Sequence, residues 1–255
     1  MLILLPPSET KRDGGTDDRL DLSSLSFPKL KTRRADLVRA VRSLARDADA
    51  SASALRLSPS LAAVEVARNR RLTLSPTMPV LDRYTGVVFD GLDAPSLPPA
   101  ARSFAYEHVG VHSALFGPVL AGDRIPAYRL SHDSRVPSLA VPGAVLSLKK
   151  QWGTAVSASL AAHPGLLLDF RSEGYVALGP VDARPNSYFL RVFTVGPDGS
   201  RRALNHFNKK AKGELTRALV LAGISFDSVD DLLAWAGPAG FDLRLSGPAE
   251  LALTV

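Results

Sequence analysis

The chain reads as a mixed α/β protein, a mixed sheet with surrounding helices, and three observations predict it. Met1-Leu2-Ile3-Leu4-Leu5 is a short apolar run stopped by Pro6-Pro7, which suits a buried opening strand. Prolines at helix-starting positions, in Ser58-Pro59 and Leu97-Pro98-Pro99, mark helices in the first half. Short apolar runs with a Gly-Pro-Asp-Gly turn signal then bring strands into the second half. With 255 residues, no internal repeat and no linker, one domain over residues 1–255 is expected.

The elements follow in order. Ser8 to Ser26 is polar and rich in Gly and Asp, a long mobile loop of a length that is usually functional or disordered. Arg33 to Ala45 is amphipathic and basic, with Leu37, Val41 and Leu44 on one face. Asp47 to Ser53 reads as a small-residue connector, and Ser58-Pro59 opens a helix through Asn69. Residues 72–79 carry two prolines and read as irregular. Tyr84 to Leu92 is apolar and punctuated by glycine, and the Pro98 helix is expected to reach about His112. Gly117 to Arg129 turns at Pro118, Gly122 and Pro126, and Leu146 to Ala162 is helical around Trp152. Leu166–Phe170 and Tyr175–Leu178 read as strands, and Tyr188–Val195 with Arg201–His206 flank the turn Gly196-Pro197-Asp198-Gly199. A lysine-headed helix ends near Gly223, Val229–Trp235 is a short helix, and Phe241–Leu245 with Glu250–Val255 form a closing hairpin.

Composition removes whole classes of function. At 45% hydrophobic and 22% charged residues, the chain is that of a soluble globular protein. Cysteine is absent, which excludes disulfides, thiolate nucleophiles, Cys-ligated zinc and iron–sulfur clusters. The opening apolar run is too short for a signal peptide, and no segment approaches the roughly 18 apolar residues of a membrane span. A cytoplasmic protein with no membrane partner is therefore expected, and it is taken to be a monomer. The balance of 31 Lys+Arg against 25 Asp+Glu, +6 overall, permits nucleic acid or an anionic ligand without demanding either. No phosphate-binding loop, dinucleotide glycine fingerprint, GxSxG elbow or HExxH helix is present, so no cofactor is implied. His108 and His112 stand four apart on the expected helix, but spacing marks no third ligand, and no metal is expected.

Asn205-His206-Phe207-Asn208-Lys209-Lys210-Ala211-Lys212-Gly213 is the most chemically suggestive stretch. Asn208 is a good N-cap residue, and Ala211, Leu215, Ala218, Leu219 and Leu221 continue as a helix. The helix dipole disfavours lysine at that end by roughly 0.3–1 kcal/mol each at an exposed site. An anion opposite would reverse the sign, because free backbone N–H groups and lysines make a ready phosphate site. A solvated, charged helix start is the plainer alternative. Phe89-Asp90-Gly91-Leu92 and Ser113-Ala114-Leu115-Phe116-Gly117 invite comparison with the hairpin of a helix-hairpin-helix, which offers backbone N–H groups to DNA phosphates. Arg171-Ser172-Glu173-Gly174-Tyr175 leaves a buried strand where ligands are often met, or it is simply a β-turn. Arg129 could clamp an anion or pair with Asp123.

A series of short motifs, in order, resembles the YaaA peroxide-stress protein family. Met1-Leu2-Ile3-Leu4-Leu5-Pro6-Pro7-Ser8-Glu9-Thr10 is similar to the family's opening Met-Leu-Ile-Leu-Ile-Ser-Pro-Ala-Lys-Thr. Gly86, Val88, Gly91 and Leu92 fit Gly-Asp-Val-Tyr-x-Gly-Leu, and Ser113, Leu115, Phe116 and Gly117 fit Leu-Ser-Gly-Leu-Tyr-Gly. Asp123 with Tyr128-Arg129-Leu130 and the pair Trp152-Gly153 come next. Ser172 and Tyr175 fall on Ala-Ser-Asp-Glu-Tyr, and Lys209-Lys210-Ala211-Lys212-Gly213 on Lys-Lys-Ala-Arg-Gly. Three departures mark a divergent member: Glu9 for the opening lysine, with Lys11 two residues on; Gly174 for the glutamate before the tyrosine; and Ser131-His132 for Glu-Met.

The resemblance implies a single-domain α/β fold with a helix-hairpin-helix element, and DNA binding through a basic cleft in peroxide resistance. Lys209, Lys210, Lys212, Arg217, Arg129, Lys149 and Lys150 would then contact phosphates, with Ser172, Tyr175 and Trp152 beside them. The partner would be double-stranded or structured DNA, or a small phosphorylated ligand. The alternative is a glycosylase- or lyase-like enzyme acting on a nucleobase or nucleotide. Lys209 or Lys210 would be its nucleophile, Glu173 or Asp123 the partner, and Trp152 or Tyr175 the stacking platform.

Overall fold

The computed structural model describes residues 1–181, 184–195, 201–203 and 207–255. The turn 196–199 and the Asn205-His206 start of the lysine motif lie outside them. In chain order the elements are β1 (Leu2–Leu5), α1 (Lys31–Leu44), α2 (Ala48–Ala54), α3 (Pro59–Arg70), β2 (Met78–Pro79), α4 (Val80–Arg83), α5 (Val87–Leu92) and α6 (Pro99–His108). Then come β3 (Val109–Ser113), β4 (Gly117–Leu120), β5 (Arg124–Ile125), α7 (Leu148–Ala161), β6 (Leu167–Asp169) and α8 (Glu173–Val176). The last are β7 (Ser187–Val195), β8 (Arg201–Ala203), α9 (Phe207–Ala222), α10 (Val229–Ala236), β9 (Asp242–Gly247) and β10 (Glu250–Thr254).

One mixed sheet runs in the order β4-β3-β1-β6-β7-β10-β9, with β8 also pairing β7. β3 and β6 flank β1 in parallel, β7 is parallel to β6, and β10 is parallel to β7. The antiparallel members are β4 against β3, β9 against β10 and β8 against β7. β1 is apolar at every position, as suits a central parallel strand covered on both faces, and all four residues are buried. β2 and β5 make a separate two-stranded ladder.

Several expectations are corrected. The Pro98 helix stops at His108, and His112 lies on β3 rather than one turn further along. Val109-Gly110-Val111 joins the β1 ladder, which outcompetes helix continuation for β-branched residues. Asp47–Ser53 is no connector: Asp47 accepts a hydrogen bond from Ala50 N at 2.9 Å and caps α2. Tyr175–Leu178 is no strand, because α8 turns at Ser172, whose carbonyl accepts from Tyr175 N and Val176 N. Gly117–Arg129 contains β4 and β5 as well as its turns. Asn208 is the second residue of α9 and not its cap.

The long Ser8–Ser26 stretch has no regular element but is pinned. Isolated bridges join Lys11 to Tyr84 and Thr16 to Thr77. The buried Arg83 guanidinium donates to the carbonyls of Arg12, Gly14, Pro76 and Ile125. Arg34 does the same for Leu25, Ser26, Phe116 and Pro118. An arginine's forked donors satisfy loop carbonyls that no ladder reaches.

Neither glycine stretch forms a hairpin between helices. Phe89–Leu92 is itself helical within α5, and Ser113–Gly117 is the tight turn joining β3 to β4. α5 is followed by left-handed Asp93 and a 3-10 turn, Ala94–Ser96, with no glycine before α6.

Candidate functional site at the switch point of the sheet

The chain builds outward from β1 on one side through β3 and β4, then returns to lay β6 and β7 on the other. Open α/β sheets bind ligands at such a switch, outside the carboxyl ends of the strands. There the segment leaving β1 and the segment leaving β6 diverge, and they border a cleft of about 860 Å³. Ser8, Glu9 and Thr10 line it from the first, and Ser172, Glu173 and Tyr175 from the second. Phe189 and Phe193 of β7, Phe89 of α5 and Lys209 and Lys212 of α9 complete the walls.

Two glycines put those lysines there. α9 crosses α5 backbone to backbone: a Cβ on Gly213 would stand 2.0 Å from the Val88 carbonyl oxygen, and one on Gly91 2.6 Å from that of Lys210. No side chain fits at either position, so glycines from two distant motifs set how closely the lysine helix approaches.

Beneath the cleft lies a buried polar cluster centred on Arg171. Arg171 is fully buried, and its Nε and Nη2 donate to the two carboxylate oxygens of Asp169 at 2.8 and 2.6 Å. Its Nη1 reaches Gly179 O at 3.0 Å and His112 Nδ1 at 2.8 Å. His112 Nδ1 must accept from the guanidinium, which places the imidazole proton on Nε2. Burial first, then the Arg171 charge, holds the His112 pKa well below its ordinary value, so the ring is neutral.

Lys212 sits above that cluster under different terms. It is 5% exposed, its Nζ lies 3.5 Å from the Arg171 carbonyl oxygen and 5.5 Å from the Phe189 ring centre. Among the described residues it has no carboxylate within ion-pair distance. Desolvation lowers its pKa to about 8 despite the opposing pull of Asp169. Tyr175, also buried at the cleft, has its ring edge-on to both His112 and His132, and burial pushes its phenol up. Lys11 is a second buried lysine, lowered to about 7 mainly by desolvation. Its Nζ donates to Ser8 O and Glu9 O and lies over the Tyr128 and Tyr84 rings.

The other expected site residues divide. Lys209, Ser172, Glu173 and Tyr175 border the cleft with Lys212. Lys210 is exposed and pairs with Glu214 at 3.4 Å. Arg217 is committed to the end of α5, donating to Leu92 O, Asp93 O and Ser96 Oγ. Arg129 pairs with Glu9 and not Asp123, whose carboxylate accepts from Ser26 and Leu120. Lys149 and Lys150 are exposed on the first turn of α7, apart from the cleft lining. Trp152 is fully buried, with Nε1–H donating to Ala114 O at 2.8 Å, so it offers no face to a base. Sequence reasoning does not reach Asp169, weighs His112 only beside His108 for a metal, and names Lys11 only as standing two residues beyond the replaced lysine; a buried polar residue inside an apolar strand is the available signal for the first two. Among the described residues no cluster of three or more His, Cys, Asp or Glu could hold a metal.

Two of the departures from the family pattern explain each other. A Cβ at position 174 would stand 2.7 Å from ring atoms of His132. His132 occupies the space that a side chain at 174 would need, so glycine there and histidine at 132 belong together.

Fold and site thus define a mixed α/β protein with a lysine-bearing cleft at the switch point of its sheet. The chain belongs to the YaaA peroxide stress protein family: the model described as "Peroxide stress protein YaaA" matches residues 1–244. It is similar to UPF0246 proteins of Corynebacterium efficiens, 40% identical over all of this chain and 99% of the relative, and of Corynebacterium glutamicum, 40% identical over 94% and 93%. A UPF0246 protein of Streptomyces coelicolor is 36% identical over 98% of this chain and 94% of its own. Among the described residues no helix is long and apolar enough to cross a membrane.

Proposed function

We propose that this protein serves the peroxide-stress response in the cytoplasm by binding DNA, with backbone phosphate entering the cleft at the carboxyl ends of β1 and β6. The observation that carries this reading is Lys212, a buried ammonium with no carboxylate partner among the described residues, beside solvent-exposed Lys209. A buried, unpaired charge is costly, and an anion in the cleft relieves it. The other charges bordering the cleft are neutralised within the protein: Arg171 by Asp169, Arg191 by Glu250 and Glu173, Glu9 by Arg129. The two lysines are what is left for a ligand, and the apolar walls of Phe89, Phe189 and Phe193 suit a sugar or base attached to the phosphate. Salt titration of duplex binding tests this. Binding should weaken steeply with salt, and the slope should fall by about 0.9 for each phosphate that Lys209→Ala or Lys212→Met no longer neutralises. A flat salt dependence would rule out the duplex and leave a small phosphorylated ligand.

The depressed pKa of Lys212 favours a second reading, in which this amine, and not Lys209 or Lys210, is the nucleophile of a lyase-like reaction. An appreciable fraction is unprotonated near neutral pH and can add to the aldehyde of an abasic sugar, losing water to form an imine. Borohydride would trap that imine as a stable adduct on abasic DNA. No adduct with the native protein removes this reading and leaves the binding role standing.

A further inference from the structure

A second concavity, of about 300 Å³, lies apart from the cleft and is lined by Arg39, Arg42 and Ser43 of α1, by Arg46 in the turn after it, and by Arg70 of α3. The geometry points to a second anion site here, built for a ligand presenting adjacent phosphoryl groups.

Arg39 and Arg42 stand three residues apart on one face of α1, and Arg46 follows in the turn just past its end. Arg70 reaches the same hollow from the last turn of α3, its Nε fixed by the Ala45 carbonyl oxygen at 3.0 Å. The half-charge at the carboxyl end of α1 favours a cation in its last turn, which accounts for Arg42. It does not account for Arg39, a turn earlier, nor for Arg70 arriving from another helix. Among the described residues, nearby acids neutralise one of the four and leave three without an ion pair. Asp36 pairs with Arg39, and Asp47 is committed to capping α2. Among the described residues Arg42 and Arg46 have no ion-pair partner. Four guanidiniums in one hollow repel one another, and their forked donors match phosphate oxygens two at a time. The Ser43 hydroxyl adds a further donor. The volume is at the lower limit of ligand pockets, which suits a compact anion and not a nucleoside.

Adjacent phosphoryl groups come from free pyrophosphate or from a polynucleotide backbone, and two arms separate these sources. In the first, isothermal titration with pyrophosphate compares the native protein, Arg42→Ala/Arg46→Ala and Lys209→Ala/Lys212→Met. The arginine variant should bind about tenfold more weakly per arginine removed, and the cleft variant should retain binding. In the second, the salt slope for a short duplex should fall by about 0.9 for each phosphate the arginine variant no longer neutralises. A response confined to one arm assigns the source and supports the site. An arginine variant that binds pyrophosphate and duplex like the native protein overturns it, as does loss of pyrophosphate binding in the cleft variant alone. All four arginines are exposed, so the variants keep the core intact.

Discussion

Arg171 and Lys212 meet at the end of β6, where the carbonyl of the first faces the ammonium of the second, yet the two cations have opposite fates. Each guanidinium nitrogen of Arg171 has a partner in Asp169, His112 or Gly179. Lys212 is nearly as buried and has one long hydrogen bond to a carbonyl. A saturated buried charge holds a structure together, whereas an unsaturated one is a place where the structure waits for something else. The difference separates scaffold from site within a few ångströms.

Substitution breaks the comparison most directly. Arg171→Ala strands the Asp169 carboxylate in the core and should cost about 3–5 kcal/mol in urea unfolding. Gly213→Ala comes next, at about 1–3 kcal/mol, because its methyl group must displace the Val88 carbonyl. It should also weaken ligand binding by moving α9 off α5.

Lys212→Met removes an unpaired buried charge, so urea unfolding should give equal or greater stability while duplex affinity falls about tenfold. Loss of stability in this variant comparable to that of Arg171→Ala would erase the distinction between the two cations. pH sharpens it further. The folded amine titrates near 8 and an unfolded lysine near 10.5, so between those values the unfolded chain holds more protons. Stability should therefore rise as pH climbs through that window, while phosphate affinity declines, which paired thermal melts and titrations would register. The smallest expected effect is at the rim. Gly174→Ala should destabilise by about 1 kcal/mol, and His132→Ala in the same chain should restore it, as a double-mutant cycle would measure.

Much of the fold was legible. β1, α1, α3, α7, α10 and the β9–β10 hairpin follow from apolar periodicity and turn residues that act over a few neighbours. The misread elements share a cause. His112 left the expected helix because residues 109–111 pair with a strand more than a hundred positions away, and no local signal records that ladder. Tyr175 reads as strand by its type but turns in α8, where its ring packs between two histidines brought there by other segments.

The site divides the same way. The lysine motif announced a concentration of positive charge, and the ordered motifs announced the family. Sequence by itself determined these because charge, helical spacing and motif order are properties of neighbours along the chain. Which lysine is buried was decided by tertiary structure. Burial against Phe189, the Gly91–Gly213 crossing and the carboxylate already taken by Arg171 make Lys212, and not Lys210, the buried lysine of the motif, with no carboxylate partner among the described residues. Solvation and partnering are set by residues far apart in sequence, and they turn three similar lysines into three different chemical groups.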